Sequence, residues 1–381
     1  LSGDESSTYT FYAKAQDDEN QFSAVRSFNI ISRAAYPTGG DTGGANTPSG
    51  AYATYSDGTT TYQLHRFRSN ANFVVAATKS VDIMVLAGGG GAGFGGGGSG
   101  ALVWVPNLSL SAATYAIVIG GGGLGTGDSA RTSDANEGYG DDSSFGGTGN
   151  AWSILAKGGG YGGGPTSNTG NAGAGGSGGG GGAAGHNLTN AAGGVAVTTN
   201  VIPSGGTKYG YAGSRSFNYN ADANGWSGSN NAQWWGSGGG GTSGTVPAAG
   251  GTGSGGATTG YIPWEAGTHN NGTQGMVGHS TFLTSALMTS HFLYAADAGT
   301  NASNAATSGL GSNPNTLHIG GGGGGAYGGS TGIGGVGGGG IGAADGSAGA
   351  DGLVNSGSGA GGANGQGGDG GSGIVIIRYA I

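Results

Sequence analysis

Apolar and polar residues alternate through Thr8-Tyr9-Thr10-Phe11-Tyr12-Ala13-Lys14-Ala15 and again through Ala24-Val25-Arg26-Ser27-Phe28-Asn29-Ile30-Ile31, with Asp17-Asp18-Glu19-Asn20 between them. Period-two alternation on both sides of a polar turn predicts a β-hairpin. Further strand signals fall at 51–55, 60–68, 71–77, 81–87, 101–105 and 114–119, split by turn residues such as Asp57-Gly58 and Ser69-Asn70. They predict a compact β-layer of about six strands. The chain closes on Ile374-Val375-Ile376-Ile377-Arg378-Tyr379, a β-branched run with the length of one buried strand, which needs a partner. Its natural partners precede Gly88, so the intervening chain must fold back compactly.

Between these elements the hydrophobic pattern gives way to glycine. The chain has 100 glycines in 381 residues, against an ordinary share of about 7%. Runs such as 88–91, 95–98, 120–123, 158–160, 178–182, 238–241, 320–325 and 337–340 are separated by single apolar or aromatic residues, with no fixed repeat length. Collagen is excluded by the absence of a Gly-X-Y period and by only 8 prolines. A flexible linker is the alternative that composition alone allows. The ordered option is the polyproline-II conformation, three residues per turn with no internal hydrogen bonds, in which segments without Cβ atoms pack closely and bond to one another. Residues Phe94, Phe145, Trp152, Tyr161 and Tyr327 are the expected anchors between short rods.

The expected fold class is therefore mainly β with an extensive polyglycine-II bundle, a partial immunoglobulin- or cadherin-like sandwich at the N-terminus and very little α-helix. The expected organisation is a partial β-domain over 1–33, a Gly/Pro/Thr-rich linker over 34–48, a small β-layer over 49–119 and the glycine bundle over 120–381. Two insertions, 184–236 and 261–319, interrupt the bundle, and a strand over 373–380 closes it. The N-terminal resemblance, to the last two strands of a sandwich domain, covers about 25 residues and implies that the remaining strands lie upstream or come from another chain. The chain is read as a fragment of something longer.

Charge narrows the function classes. Charged residues are 8% of the chain and the net charge is -8, so the basic footprint of a nucleic-acid binder is missing. There are no cysteines, which removes disulfides, thiolate metal sites and thiol catalysis together. The longest apolar stretches fall far short of the ~20 residues that span a bilayer, so no membrane insertion is expected. The six histidines lack the i, i+4 spacing of a helical zinc motif, and no cofactor is expected. Asp141-Asp142 is read as a solvated turn rather than a glycosidase pair, which needs carboxylates across a cleft. The 346–353 stretch approaches a calcium-binding nonapeptide, but Ser347 stands where glycine belongs and no tandem copy follows. No constellation supports catalysis.

A family resemblance rests on Thr61-Tyr62-Gln63-Leu64-His65-Arg66-Phe67, on Val81-Asp82-Ile83-Met84-Val85-Leu86-Ala87 opening into glycine, on Thr114 to Gly121, on Asp142-Ser143-Ser144-Phe145-Gly146 and on the closing 371–379. These residues resemble the glycine-rich C-terminal domain of bacteriophage tail-fibre and tail adhesin proteins. The resemblance implies a receptor-binding adhesin on the virion tail or another extracellular surface, meeting a host-surface glycan or outer-membrane protein through the two insertions. It also implies attachment to other tail or fibril subunits through the N-terminal β-domain, with homo-oligomerisation left open. The candidate contact residues are Tyr209, Tyr211, Phe217, Tyr219, Trp226, Trp234 and Trp235 in the first insertion, and Tyr261 and Trp264 in the second. Rigid aromatics among Asn, Ser and Gly suit ligand contact, and local core is the competing role. The alternative function is an extracellular fibril or surface-layer component without a dedicated ligand site. An ice-binding face and a glycan-cleaving enzyme are two weaker classes.

Overall fold

The computed structural model describes residues 7–13, 26–32, 37–38, 40, 53–56, 59–126, 138–146, 153–164, 171–182, 192–197, 201–214, 236–242, 276–277, 318–327, 330–335, 337–343 and 347–381. Among them there is no α-helix, hence none long enough to cross a membrane. In chain order the strands are β1 (Ser7–Ala13), β2 (Arg26–Ser32), β3 (Ala53–Ser56), β4 (Thr61–Phe67), β5 (Ala71–Val75), β6 (Lys79–Leu86), β7 (Leu102–Leu110) and β8 (Ala113–Val118). Then come β9 (Ser143–Phe145), β10 (Ile154–Ala156), β11 (Thr207–Tyr209), β12 (Met276–Val277), β13 (His318–Ile319), β14 (Ala326–Tyr327), β15 (Ser330–Thr331) and β16 (Ile374–Ala380). The alternating N-terminal segments form the antiparallel pair β1–β2, with Phe11 opposite Phe28.

The strands expected in one layer divide between two antiparallel sheets. One has the order β11-β7-β6-β16-β4-β3, the other β10-β9-β8-β5. The burial patterns explain the split. In β5 and β8 alternate residues are buried, the mark of a sheet with one solvated face, whereas the apolar runs of β6 and β16 are buried on both faces. Phe73, Tyr115, Ile117 and Phe145 from the smaller sheet meet Phe67, Ile83, Val85, Val375 and Ile377 from the larger. Phe145, expected as a rod anchor, belongs to this core and stacks on Tyr115 at 5.2 Å. Single bridges extend both edges of the smaller sheet, Thr38 onto Val74 and Val201 onto Leu155. Strand β16 lies between β4 and β6, with Ile377 opposite His65 on one side and Ile83 on the other.

One irregularity ties three strands together. The β6–β7 register shifts between Val81 and Ile83, so Pro106 and Asn107 together oppose Asp82. Pro106 has no N–H to lose and Asn107 adopts φ 51, both compatible with a bulge. The Asp82 carboxylate accepts from the Asn107 N–H at 2.8 Å and from Arg378 Nε of β16 at 2.7 Å, while the Arg378 guanidinium lies 4.4 Å from the Tyr62 ring centroid. Asp82→Ala is expected to lower stability by about 3 kcal/mol, because it strips a largely buried guanidinium of its carboxylate. Asp82→Asn, which keeps an acceptor, is expected to lose less. Urea unfolding midpoints check the order.

Beyond β6 the chain runs in glycine-rich rods whose hydrogen bonds repeat every third residue. Ala87, Gly90 and Gly93 donate to Ala101, Gly98 and Gly95; Gly88 and Gly91 donate to Asp141 and Gly138; Gly89 and Ala92 donate to Gly371 and Gly368. Each set of three-apart donors faces one neighbouring segment. The rod over 95–101 is fully enclosed. It donates to the segments at 157–163, 237–240 and 357–360, and accepts from Ala87 and Gly90, from Ser177 and Gly180, and from Gly323. Six segments thus surround it. The interior admits only small side chains, such as Ala92, Ala101 and Ala360, or serines whose hydroxyls bond within the array, as Ser99 Oγ does to Ser177 Oγ at 2.9 Å.

The hydrogen bonds that hold this array each add a net ~0.5–1.5 kcal/mol. Ordering a residue costs about 1–2 kcal/mol, most of all for glycine. The two are of one size, and glycine buries almost no apolar surface, so the array depends on the adjoining β-core. Rods over 87–93, 95–101, 120–126 and 366–373 run directly into or out of β6, β7, β8 and β16.

Candidate functional site

The register of the rods fixes which chain ends share a level. Ala87 and Ala101 mark the end beside the sheets, and Gly93 to Gly95 the opposite end. At that sheet-remote end Ala326 donates to Phe94 O, Gly236 donates to Ala326 O, Thr126 donates to Ala92 O and Ala363 donates to Gly93 O. Gly181 donates to Ser214 O, and Gly180 to Gly96 O. Ser214 and Gly236 therefore both lie at the sheet-remote end, as do Thr126, Gly164, Gly182 and Ala343. Phe94 is buried there against Ala326, whereas Tyr161 is half-buried edge-on to Tyr139, with ring centroids 4.9 Å apart. Trp152 lies outside the described residues, and Tyr327 is the second residue of the short β14.

The second insertion is rooted elsewhere. Ser99 donates to Gly240 O, so the rod over 236–242 runs from the remote end toward the sheets before the chain leaves at Thr242. Thr242 donates its N–H to Gly320 O at 3.0 Å and its hydroxyl to Ile319 O at 2.7 Å, and β13 pairs with β12. The two insertions thus depart from opposite ends of the array.

Of the nine aromatics singled out in the sequence, Tyr209 and Tyr211 are described. Tyr209 ends β11, opposite Leu102 of β7, and Tyr211 is the second residue of the rod over 210–214. The Tyr211 N–H donates to Ser177 Oγ at 3.3 Å and its carbonyl accepts from Gly178, while 39% of the residue stays exposed. The neighbouring rod over 192–197 is joined through Gly213 N–H to Gly194 O and exposes Val195. Lys208 donates to Val197 O across the same flank, and burial pushes its ammonium below the ordinary lysine value. This flank is an apolar surface on the stem of the first insertion. Phe217, Tyr219, Trp226, Trp234, Trp235, Tyr261 and Trp264 lie outside the described residues.

The remaining polar groups are tied into the scaffold. Asp142 accepts from Lys157 Nζ at 2.5 Å and from the Gly158 N–H at 2.9 Å, which fixes a rod end to β9. His65 is buried, 5.6 Å from the Tyr379 ring and 5.1 Å from Phe73, and Tyr379 donates its hydroxyl to Gln63 Oε1. Among the described residues no group of three or more His, Cys, Asp or Glu could hold a metal ion.

One feature escaped sequence reasoning. Exposed residues on outer rods recur at every third position, as in Ala348, Asp351 and Val354, in Gln366 and Asp369, and in Ala192 and Val195. The signal was present in Gln366-Gly-Gly-Asp369-Gly-Gly-Ser372, but a three-residue spacing over two turns is visible only when the outward side of each rod is known.

A hydrogen-bonded array of glycine-rich segments grows out of a two-sheet β-core. The chain belongs to the glycine-rich domain family, whose model matches residues 68–282, more than half of its length. Comparison with curated proteins and with solved structures gives no match.

Proposed function

We propose that the chain is a receptor-binding adhesin of a phage tail fibre or tail tip, which binds a host-surface glycan or outer-membrane protein through loops displayed on a polyglycine-II scaffold. The observation that carries this reading is the position of Ser214 and Gly236 at the sheet-remote end of the array. The chain between these two positions carries Phe217, Tyr219, Trp226, Trp234 and Trp235, and binding residues concentrate on loops held by rigid scaffolds. The three-residue donor period and the six-neighbour packing support polyglycine-II as the rod conformation. In this reading β1 and β2 belong to a partial immunoglobulin- or cadherin-like sandwich that joins the adhesin to other tail or fibril subunits. The mechanism is adsorption, with no bond made or broken, on the virion tail or another extracellular surface.

The test compares binding of the full chain to candidate host cells with that of Trp226→Ala/Trp234→Ala/Trp235→Ala. Loss of roughly tenfold to a hundredfold in affinity with an unchanged thermal midpoint is the expected result, in keeping with aromatic hot spots. Equal binding by the two proteins would remove the first insertion as the contact. Binding by neither to any host, together with regular polymers of the chain, would favour the extracellular fibril.

A further inference from the structure

The outer rods raise a question that the enclosed ones do not. An array held by outward N–H and C=O groups is open to addition of another rod, as the edge of a β-sheet is open to another strand. In the rod over 366–373, Gly367, Gly370 and Gly373 donate to Thr126, Gly123 and Gly120, and Gly368 and Gly371 donate to Gly361 and Ser358. The third direction holds Gln366, Asp369 and Ser372. There the Asp369 N–H donates to a side chain, Asp351 Oδ1 at 2.8 Å, and not to a backbone carbonyl.

The neighbouring rod repeats the device. Over 120–126, Gly123 and Thr126 donate inward to Gly89 and Ala92, whereas the Gly125 N–H donates to Asp369 Oδ1 at 2.6 Å. Asp351 stands on the next rod over, joined through Gly349 to Gln366 O and Gly352 to Asp369 O. Three adjacent rods therefore carry a staircase in which each exposed carboxylate covers one N–H of its neighbour. In the interior the same donors meet backbone carbonyls of a further rod.

We infer that Asp351 and Asp369 are caps that arrest lateral growth of the glycine array, and that this face without them becomes a docking surface for a glycine rod of a second copy of the chain. Two effects act together. The carboxylates occupy the acceptor position an added rod would fill, and their Cβ atoms hold an incoming backbone at a distance.

Sedimentation velocity of the full chain tests this with Asp351→Gly/Asp369→Gly and Asp351→Asn/Asp369→Asn. The glycine variant is expected to self-associate with rising concentration, and the asparagine variant, which keeps the side-chain acceptor and its bulk, to sediment as the parent does. A glycine variant indistinguishable from the parent would overturn the inference. Equal association of the asparagine variant would overturn it as well, by assigning the effect to charge alone. Should the glycine variant not fold, hydrogen exchange of Asp369→Ala decides. The Gly125 amide is expected to exchange about tenfold or more faster while Gly123 and Gly370 stay unchanged, and an unchanged Gly125 rate would refute the cap.

Discussion

Deletion of residues 374–381 is expected to abolish cooperative folding of the β-core and the glycine array together. The deleted strand lies between β4 and β6, so its loss opens two sheet edges in the middle of the larger sheet. Ile374, Val375, Ile376 and Ile377 are each fully buried, and at ~1.5–3 kcal/mol per side chain they contribute roughly 6–12 kcal/mol. That equals the net stability of an ordinary domain, about 5–15 kcal/mol. The same deletion cuts the covalent connection between the rod over 366–373 and the larger sheet. Near-UV circular dichroism and urea unfolding measure the outcome. A cooperative transition near the parent's midpoint would mean that the array sustains itself without the core.

The second large effect is expected from one methyl group. Gly97→Ala places a Cβ on top of Gly90 O and within 3.0 Å of Ala360 N, both backbone atoms of neighbouring rods. Gly97 donates to Ala360 O and accepts from Gly323, each at 2.8 Å, so outward movement of either neighbour breaks bonds on which further rods depend. Overpacking of an ordinary core costs about 1–3 kcal/mol because side chains can rotate away. Here there are no side chains to rotate, and the expected loss is ~3 kcal/mol or more. Gly121→Ala is the matched control. Its Cβ would meet only Asp141 Oδ2 at 3.3 Å, and the expected change is within about 0.5 kcal/mol. Equal thermal midpoints for Gly97→Ala and the parent would contradict close backbone packing in the array.

Glycine is used here in a manner opposite to its usual one. In most proteins it supplies freedom at a turn; in this chain its lack of a Cβ lets backbones pack closely, with alanine and serine admitted at a few interior positions such as Ser99 and Ala101. The outer rods show the limit of the requirement. Where a rod has an open side, every third residue is released from it, and Asp351, Val354, Asp369, Val195 and Tyr211 occupy such positions. Surface chemistry can therefore vary in steps of three without disturbing the interior.

The amino-acid sequence by itself marked β1 to β8 and β16 and the glycine between them, whereas the short strands β9 to β15 carry too few residues for a period to show. Alternation in 71–75 and 113–118, and continuous apolar runs in 83–86 and 374–377, follow from whether one or both faces of a strand are buried, which the sequence records locally. The need of the closing strand for an early partner was legible for the same reason. Only the tertiary structure decided that these strands form two sheets, that β16 enters between β4 and β6, and that the insertions leave from opposite ends of the array. Glycine carries no side chain whose polarity distinguishes one neighbour from another, so the order of the rods is written in backbone hydrogen bonds between residues far apart in sequence, and those exist only once the chain has folded.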